Sequence, residues 1–218
     1  MKNGKGAKFG SVSRMLALVL ALLLMTGCIT GGTLAWLTAR TPEMKNTFMD
    51  SDIGVGLEES TGNSYQMIPG WTIRKDPRAW VTEESEDCYL FVKVEETGGS
   101  VTYTKADGTS AAAKWTDFLT YEIADGWQLL TGEGPGKGST VYYRVFAADS
   151  ADTKGSPYAI LKNDQVAVLS TVTREMMDAL TDDSRPALTV TAYASQLYKN
   201  QGEPFTTAEA WENLNSDG

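Results

Sequence analysis

The sequence predicts an all-β fold, an antiparallel β-sandwich carrying two short helices, and three features point to it. Apolar and polar residues alternate over several stretches, most clearly Cys88–Glu95, Val141–Ala147 and Leu188–Gln196. A period of two is that of a strand with one face on a core. Turn-forming Gly, Pro, Asn and Asp separate these stretches at short intervals, which gives roughly ten short strands. Helical signals are confined to Arg174–Thr181 and Thr206–Leu214. A strand with one apolar face needs a second layer against it, so a sandwich is the expected architecture. Periodicity alone does not choose its topology.

At 218 residues and 42% hydrophobic content, the chain has material for one globular domain of ordinary size and a leader. Lys2, Lys5, Lys8 and Arg14 form a positive n-region, Met15–Met25 is a leucine-rich h-region, and small residues follow in Thr26-Gly27-Cys28 and Gly31-Gly32-Thr33. That order is the order of a secretory signal peptide. Cleavage fits after Ala35 and equally after Ala39, so residues 1–39 are read as signal peptide and 40–218 as the domain. Two alternatives stay open. No charge falls between Arg14 and Arg40, so an uncut leader is a hydrophobic helix long enough, at about 20 residues, to span a bilayer. Met25-Thr26-Gly27-Cys28 also resembles a lipobox, with an unusual methionine at its first position, which would place a lipid on Cys28.

Beyond the leader, Arg40–Asp52 is polar and extended, and Ile53–Glu59 is the first strand, with Ile53, Val55 and Leu57 on one face. Ile68-Pro69-Gly70 is a turn, since proline fixes φ and glycine accepts a positive one. Trp71–Ile73 is a short strand ended by Lys75-Asp76-Pro77, and Ala79–Thr82 is another, closed by the acidic turn Glu83–Asp87. Cys88–Glu95 is a half-buried strand, with Cys88, Leu90, Val92 and Val94 inward and Tyr89, Phe91, Lys93 and Glu95 outward. Val101–Thr104 follows, then a turn at Asp107-Gly108 and a helical turn at Ala111–Lys114. Asp125-Gly126 joins Leu119–Ala124 to Trp127–Leu130 as a two-residue hairpin loop. Thr131–Ser139 is a hairpin tip; it lacks the glycine and hydroxyl positions of a phosphate-binding loop. Tyr158–Leu161 and Gln165–Leu169 are strands around a turn at Asn163-Asp164. Thr173 caps the first helix, and Thr206 with Glu209 forms a capping box for the second.

Charge and composition narrow the chemistry. The net charge of −9 becomes −13 once a leader with four positive charges and no acid is removed. Such a body does not attract nucleic acid or an anionic membrane surface; membrane contact is expected only through an uncleaved leader. With no histidine, the commonest general base and zinc ligand are missing. Cys28 and Cys88 are the only cysteines, so removal of the leader leaves Cys88 without an internal partner. It is read as a small buried apolar residue. Acids cluster at Asp50/Asp52, Glu83–Asp87, Asp149/Asp152 and Asp182-Asp183. They are read as solvated turns; weak calcium binding is the alternative, though no cluster has the spacing of a calcium loop. Trp36, Trp71, Trp80, Trp115, Trp127 and Trp211 are read mainly as core residues, with a sugar platform as the alternative. No catalytic, cofactor or metal residue is assigned, and the chain is read as not an enzyme.

Three stretches resemble a known family. Gly31–Ala39 followed by Asn46-Thr47-Phe48 looks like a SipW-type cleavage region. Pro69-Gly70, Ile73 and Lys75-Asp76-Pro77, then Ser85–Glu95, match the wording of secreted Gram-positive proteins with SipW-dependent signal peptides, the TasA-type biofilm fibre proteins and camelysin-like proteins. Thr191–Trp211 is similar to their tail, except that the family usually has a bulky aliphatic residue where Ser195 stands. The resemblance implies a jelly-roll-like sandwich, an extracellular matrix or cell-surface location, cleavage by a SipW-type peptidase around Ala35, Trp36 and Ala39, and self-association into fibres. It also implies assembly by donor-strand exchange through about Trp36–Phe48. Residues 40–46 add little to their own core, whereas Trp36, Leu37, Met44 and Phe48 need burial after cleavage. Camelysin-like relatives have been classed as metallopeptidases, which a chain without histidine argues against. A monomeric surface-binding module is the third class. The leader yields the first expected outcome: N-terminal sequencing of the secreted protein reads a start between Trp36 and Arg40. A start at a lipid-bearing Cys28 would overturn it.

Overall fold

The computed structural model describes residues 53–216 except 63 and 201, together with Leu16 and Val19. The chain divides into Met1–Phe48 and Met49–Gly218, and the architecture below is that of the second unit. It is an antiparallel β-sandwich. Among the described residues no helix is long and apolar enough to cross a membrane.

One sheet carries four strands. β4 (Cys88–Thr97) lies at its centre, between β12 (Ala187–Gln196) and β9 (Ser139–Phe146), and β8 (Gln128–Thr131) forms the far edge. Facing it are two three-stranded sheets. One is ordered β1 (Val55–Glu58), β3 (Arg78–Val81), β10 (Tyr158–Ala159); the other β2 (Thr72–Arg74), β11 (Leu161–Val168), β7 (Leu119–Ile123). The layers enclose a main core in which Ala79, Val81, Cys88, Leu90, Val92, Val94, Phe118, Phe146 and Leu161 have no solvent exposure. Each larger side chain so buried contributes roughly 1.5–3 kcal/mol.

The alternation read in β4 holds: Cys88, Leu90, Val92 and Val94 all face the main core. The half-buried reading does not. Tyr89 and Phe91 are buried on the other face by α2 (Thr207–Ser216) and the segment before it. Phe91 and Tyr193 approach the Trp211 ring at 5.4 and 5.3 Å, and the Tyr89 hydroxyl donates to the Phe205 carbonyl at 2.8 Å. Val141, Tyr143, Val145 and Ala147 join this second core, while Tyr142 and Phe146 of the same strand belong to the first. The helix starts as its capping box predicts: the Thr206 amide donates to the Glu209 carboxylate at 2.9 Å and the Glu209 amide to the Thr206 hydroxyl at 3.3 Å. In α1 (Arg174–Asp178) the Thr173 hydroxyl accepts from the Met176 amide, as its cap position implies.

Three local expectations are corrected. Ala111–Lys114 is not helical; Ser110–Ala113 is strand β6, paired with β5 (Val101–Thr104) over the Asp107-Gly108 turn. Asn163-Asp164 is not a turn between two strands. Both residues have positive φ (57° and 55°) and form a bulge inside the continuous β11. Asp125-Gly126 turns the chain, but β7 and β8 do not pair: β7 binds β11 and β8 binds β9. The turn is a corner between sheets, held by a side chain. Arg144, 7% exposed, donates to the Asp125 carbonyl at 2.6 Å and to Asp152 at 2.7 Å. Its guanidinium lies 4.9 Å from the centre of the Trp127 ring and 4.4 Å from that of Tyr158. Gly126 has a φ of 88°, and a Cβ there would sit 2.4 Å from the guanidinium.

The described tryptophans do not form a platform; Trp36 lies outside the described residues. Trp115, Trp127 and Trp211 pack against the two cores, and Trp80 lies across β1. Trp71 departs from the core reading, at 63% exposed beside the Pro69-Gly70 turn. Cys88 is fully buried and desolvation pushes its thiol up to about 11. Thiol reagents therefore label it only after unfolding; rapid labelling of the native protein would mean that β4 is shifted by one residue, which exchanges its two faces.

Candidate strand-binding groove

Among the described residues, three sheets end on one side of the sandwich. β1, β2 and β12 are each the terminal strand of a different sheet, and residues of all three line a single groove of about 670 Å³. Ile73, Leu119 and Val166 form its apolar floor; Ala187–Val190 of β12 and Leu57–Glu59 at the end of β1 form its sides. β1 also lies against β12, yet the two strands do not pair.

The inward face of β1 carries exposed apolar side chains. Val55 and Leu57 lie opposite Val81 and Ala79 of β3, which are fully buried in the main core, so the alternation read from the sequence is right. Val55 and Leu57 are nevertheless 42% and 40% exposed. Ile53, on the same face, is partly buried against the core. The opposite face of β1 is occupied by Trp80, whose ring lies so close to Gly56 that a Cβ there would meet it at 2.2 Å. β1 is thus pressed against its own sheet, while its apolar side chains on the core side are only partly covered by the described residues.

The motif residues fix this arrangement. Ser85, 5% exposed, accepts from the Gly54 amide at 3.1 Å and anchors the start of β1. At the far end, Asp76 accepts from the Ser60 amide at 3.0 Å and the Ser60 hydroxyl at 2.5 Å, with Arg74 at 3.3 Å. Lys75 bonds Glu59 at 2.8 Å and lies 5.6 Å from the Tyr65 ring centre. The Tyr65 hydroxyl in turn donates to Glu59 and to the Gly62 carbonyl. Lys75 and Pro77 line the groove and Asp76 ties the β1–β2 connection to it. On the opposite wall Arg185 pairs with Asp182 at 3.1 Å beside Pro186.

Among the described residues no group of three or more His, Cys, Asp or Glu side chains is placed to hold a metal ion. In the acidic clusters, Asp87 is bonded to Lys154, Asp152 to Arg144 and Asp182 to Arg185, whereas Glu83, Glu84 and Glu86 are exposed. The residues picked out from sequence for cleavage and assembly (Ala35, Trp36, Leu37, Ala39, Met44 and Phe48) lie outside the described residues, as do Cys28, Asp50 and Asp52. The groove itself was not foreseen. Ile73, Leu188 and Val190 read as ordinary core positions, and no local pattern reveals that a strand edge stays open. The chain matches no family model, no curated protein and no solved structure.

What the groove can do is bind an extended segment. Terminal strands present unpaired backbone donors and acceptors, and the floor offers pockets for alternate side chains. Its polar end carries a pH signature. The bonds from Ser60 hold the Asp76 carboxyl at about 2, below its ordinary 3.8. A depressed carboxyl stabilises the fold in full above the unfolded value, and that contribution is lost as pH falls through the folded value. Denaturant titrations of the wild type should therefore lose stability from about pH 4 downward, and Asp76→Asn should flatten part of that limb. Glu209, held at about 2 chiefly by Lys199, contributes over the same range, so Glu209→Gln is the parallel control. An unchanged slope in Asp76→Asn would show that Asp76 is not tied down as described.

Proposed function

We propose that this protein is a secreted structural protein of the cell surface or biofilm matrix, a fibre-forming subunit that assembles by strand exchange. The observation that carries the reading is the groove at which, among the described residues, three sheets each end in a strand bonded along one edge only, lined by Leu57 and flanked by Val55 on the same core-side face of β1, the two being 40% and 42% exposed. An extended segment from a neighbouring copy supplies the missing layer, covers that apolar surface and bonds to the open edges. The segment is the start of the mature chain, about Trp36–Phe48, whose apolar residues need burial once the leader is cut. This is also what the resemblance to TasA-type proteins implies. A donor at one end and an acceptor on the body make a head-to-tail contact, which grows filaments because it does not close on itself. Cleavage by a SipW-type peptidase releases the donor from the membrane and so triggers growth.

Two variants of the secreted protein test this by sedimentation and electron microscopy. A version starting at Asp50 lacks the donor and is expected to stay unassembled. Leu57→Asp leaves the donor intact and changes an already exposed side chain, so its melting temperature should shift little, while filaments are lost. Filaments of unchanged form from the version starting at Asp50 would rule out strand exchange through this segment.

A further inference from the structure

We infer that the loop of residues 131–139, between β8 and β9, is a gate latched on the Glu96 carboxylate and poised between a closed and an open state. Its sequence gives it little hold of its own. Gly132, Gly134, Gly136 and Gly138 all have positive φ, between 83° and 95°, so the loop regains much conformational freedom on opening. Thr131, Glu133, Pro135, Lys137 and Ser139 are exposed. The Glu133–Lys137 ion pair, at 3.7 Å and more than half exposed on both sides, adds little. What closes the loop is Glu96, near the end of β4. Its carboxylate accepts from the Gly136 amide at 2.5 Å and from the Gly138 amide at 2.9 Å. The Tyr121 hydroxyl of β7 donates to the same carboxylate at 2.8 Å and orients it. The Glu96 amide donates to the Gly138 carbonyl at 2.9 Å. Bonds to an ionised acceptor are the strong ones, so one side chain carries most of the hold on the loop.

The closed loop has a cost beneath it. Tyr142 of β9 is 5% exposed, and its hydroxyl is buried with no hydrogen-bond partner among the described residues. Thr140, 1% exposed, directs its own hydroxyl to the Gly134 carbonyl at 3.2 Å. Gly134 lies over Tyr142: a Cβ there would sit 3.9 Å from the phenol oxygen. Burial, and then the Glu96 charge, keep that phenol protonated, so it is a donor with nothing to donate to. A hydroxyl sealed from water in this way is unfavourable, and lifting the loop lets water reach it. The Glu96 bonds and the Tyr142 hydroxyl therefore pull the same nine residues in opposite directions. Opening is then a local event that leaves the rest of the sandwich folded. It uncovers Tyr142 at the edge of the main core and frees the Lys137–Gly138 peptide bond. None of Glu96, Tyr121, Thr140 and Tyr142 lines the groove beside β1, so the gate does not depend on the strand-exchange reading.

Limited digestion of the secreted protein with trypsin tests this. Cleavage after Lys137 is read against cleavage after Lys105, in the exposed turn between β5 and β6. At low protease the rate follows the population of the open form. Glu96→Gln keeps the size of the side chain but sets an NH2 where one glycine amide needs an acceptor. It is expected to speed cleavage after Lys137 by about tenfold or more, with cleavage after Lys105 unchanged. Should that variant fail to fold, Tyr121→Phe, which removes the bond that orients Glu96, is expected to act in the same direction. Tyr142→Phe carries the opposite sign: with the orphaned hydroxyl gone the closed loop is favoured, and cleavage after Lys137 slows by about threefold or more. Equal acceleration at both lysines in Glu96→Gln means general loosening and overturns the proposal. So does cleavage after Lys137 that neither Glu96→Gln nor Tyr121→Phe speeds, or that Tyr142→Phe does not slow. A wild type cut after Lys137 as fast as the unfolded chain would show that the loop is not latched at all.

Discussion

The fold depends on one strand being enclosed on every side. β4 is paired along its length with β12 and over most of it with β9. One of its faces lies in the main core, and the other is covered at Tyr89 and Phe91 by the C-terminal helix. Four constraints therefore converge on the same ten residues. A slip of one position would exchange Cys88, Leu90, Val92 and Val94 with Tyr89, Phe91, Lys93 and Glu95. It would thrust Lys93 and Glu95, which bond each other at 2.7 Å beside solvent, into the main core, where desolvating the pair costs roughly several kcal/mol per ion. The register of the sheet follows from that exclusion, and the flanking strands inherit it.

How legible the fold was depended on the range of the interaction. Strands, caps and turns rest on neighbours within a few residues, and they were read correctly at β4, β9, β12, Thr173 and Thr206. Errors fell where distant chain decides. Asp125-Gly126 has the local chemistry of a hairpin, but the strands on either side of it bind different sheets, and Arg144 stabilises their divergence. Ala111–Lys114 has the alanine content of a helix; pairing with Val101–Thr104 overrides it. Tyr89 and Phe91 looked solvent-facing because nothing near them in sequence announces that the tail returns to cover them. The groove was hidden for the same reason. Val55 and Leu57 were placed on the right face, yet no sequence pattern says whether a face will have anything packed upon it.

The motif words acquire a physical meaning from the groove. Ser85 anchors one end of β1 and Asp76 ties down the chain that leaves the other, while Trp80 lies on Gly56 between them. β1 is held at both ends and along its outer face, leaving its core side and its free edge as the uncommitted surfaces. Natural sheets usually guard such edges with charge, proline or a covering loop. Here Glu58, Glu59 and Lys75 guard one end, and the apolar middle is open. A frame held in this way needs little further ordering before a ligand docks on it, which would lower the entropic cost of association.

The corner at Gly126 has a further consequence, for which substitutions the molecule tolerates. Where a hairpin would rest on main-chain bonds that almost any sequence supplies, this corner rests on one planar cation stacked between Trp127 and Tyr158 and bonded to Asp125 and Asp152. A lysine would keep the charge but could neither stack as a plane nor form both bonds from a fixed fork. The junction between the two layers thus makes arginine, by its shape rather than its charge, a requirement of the architecture.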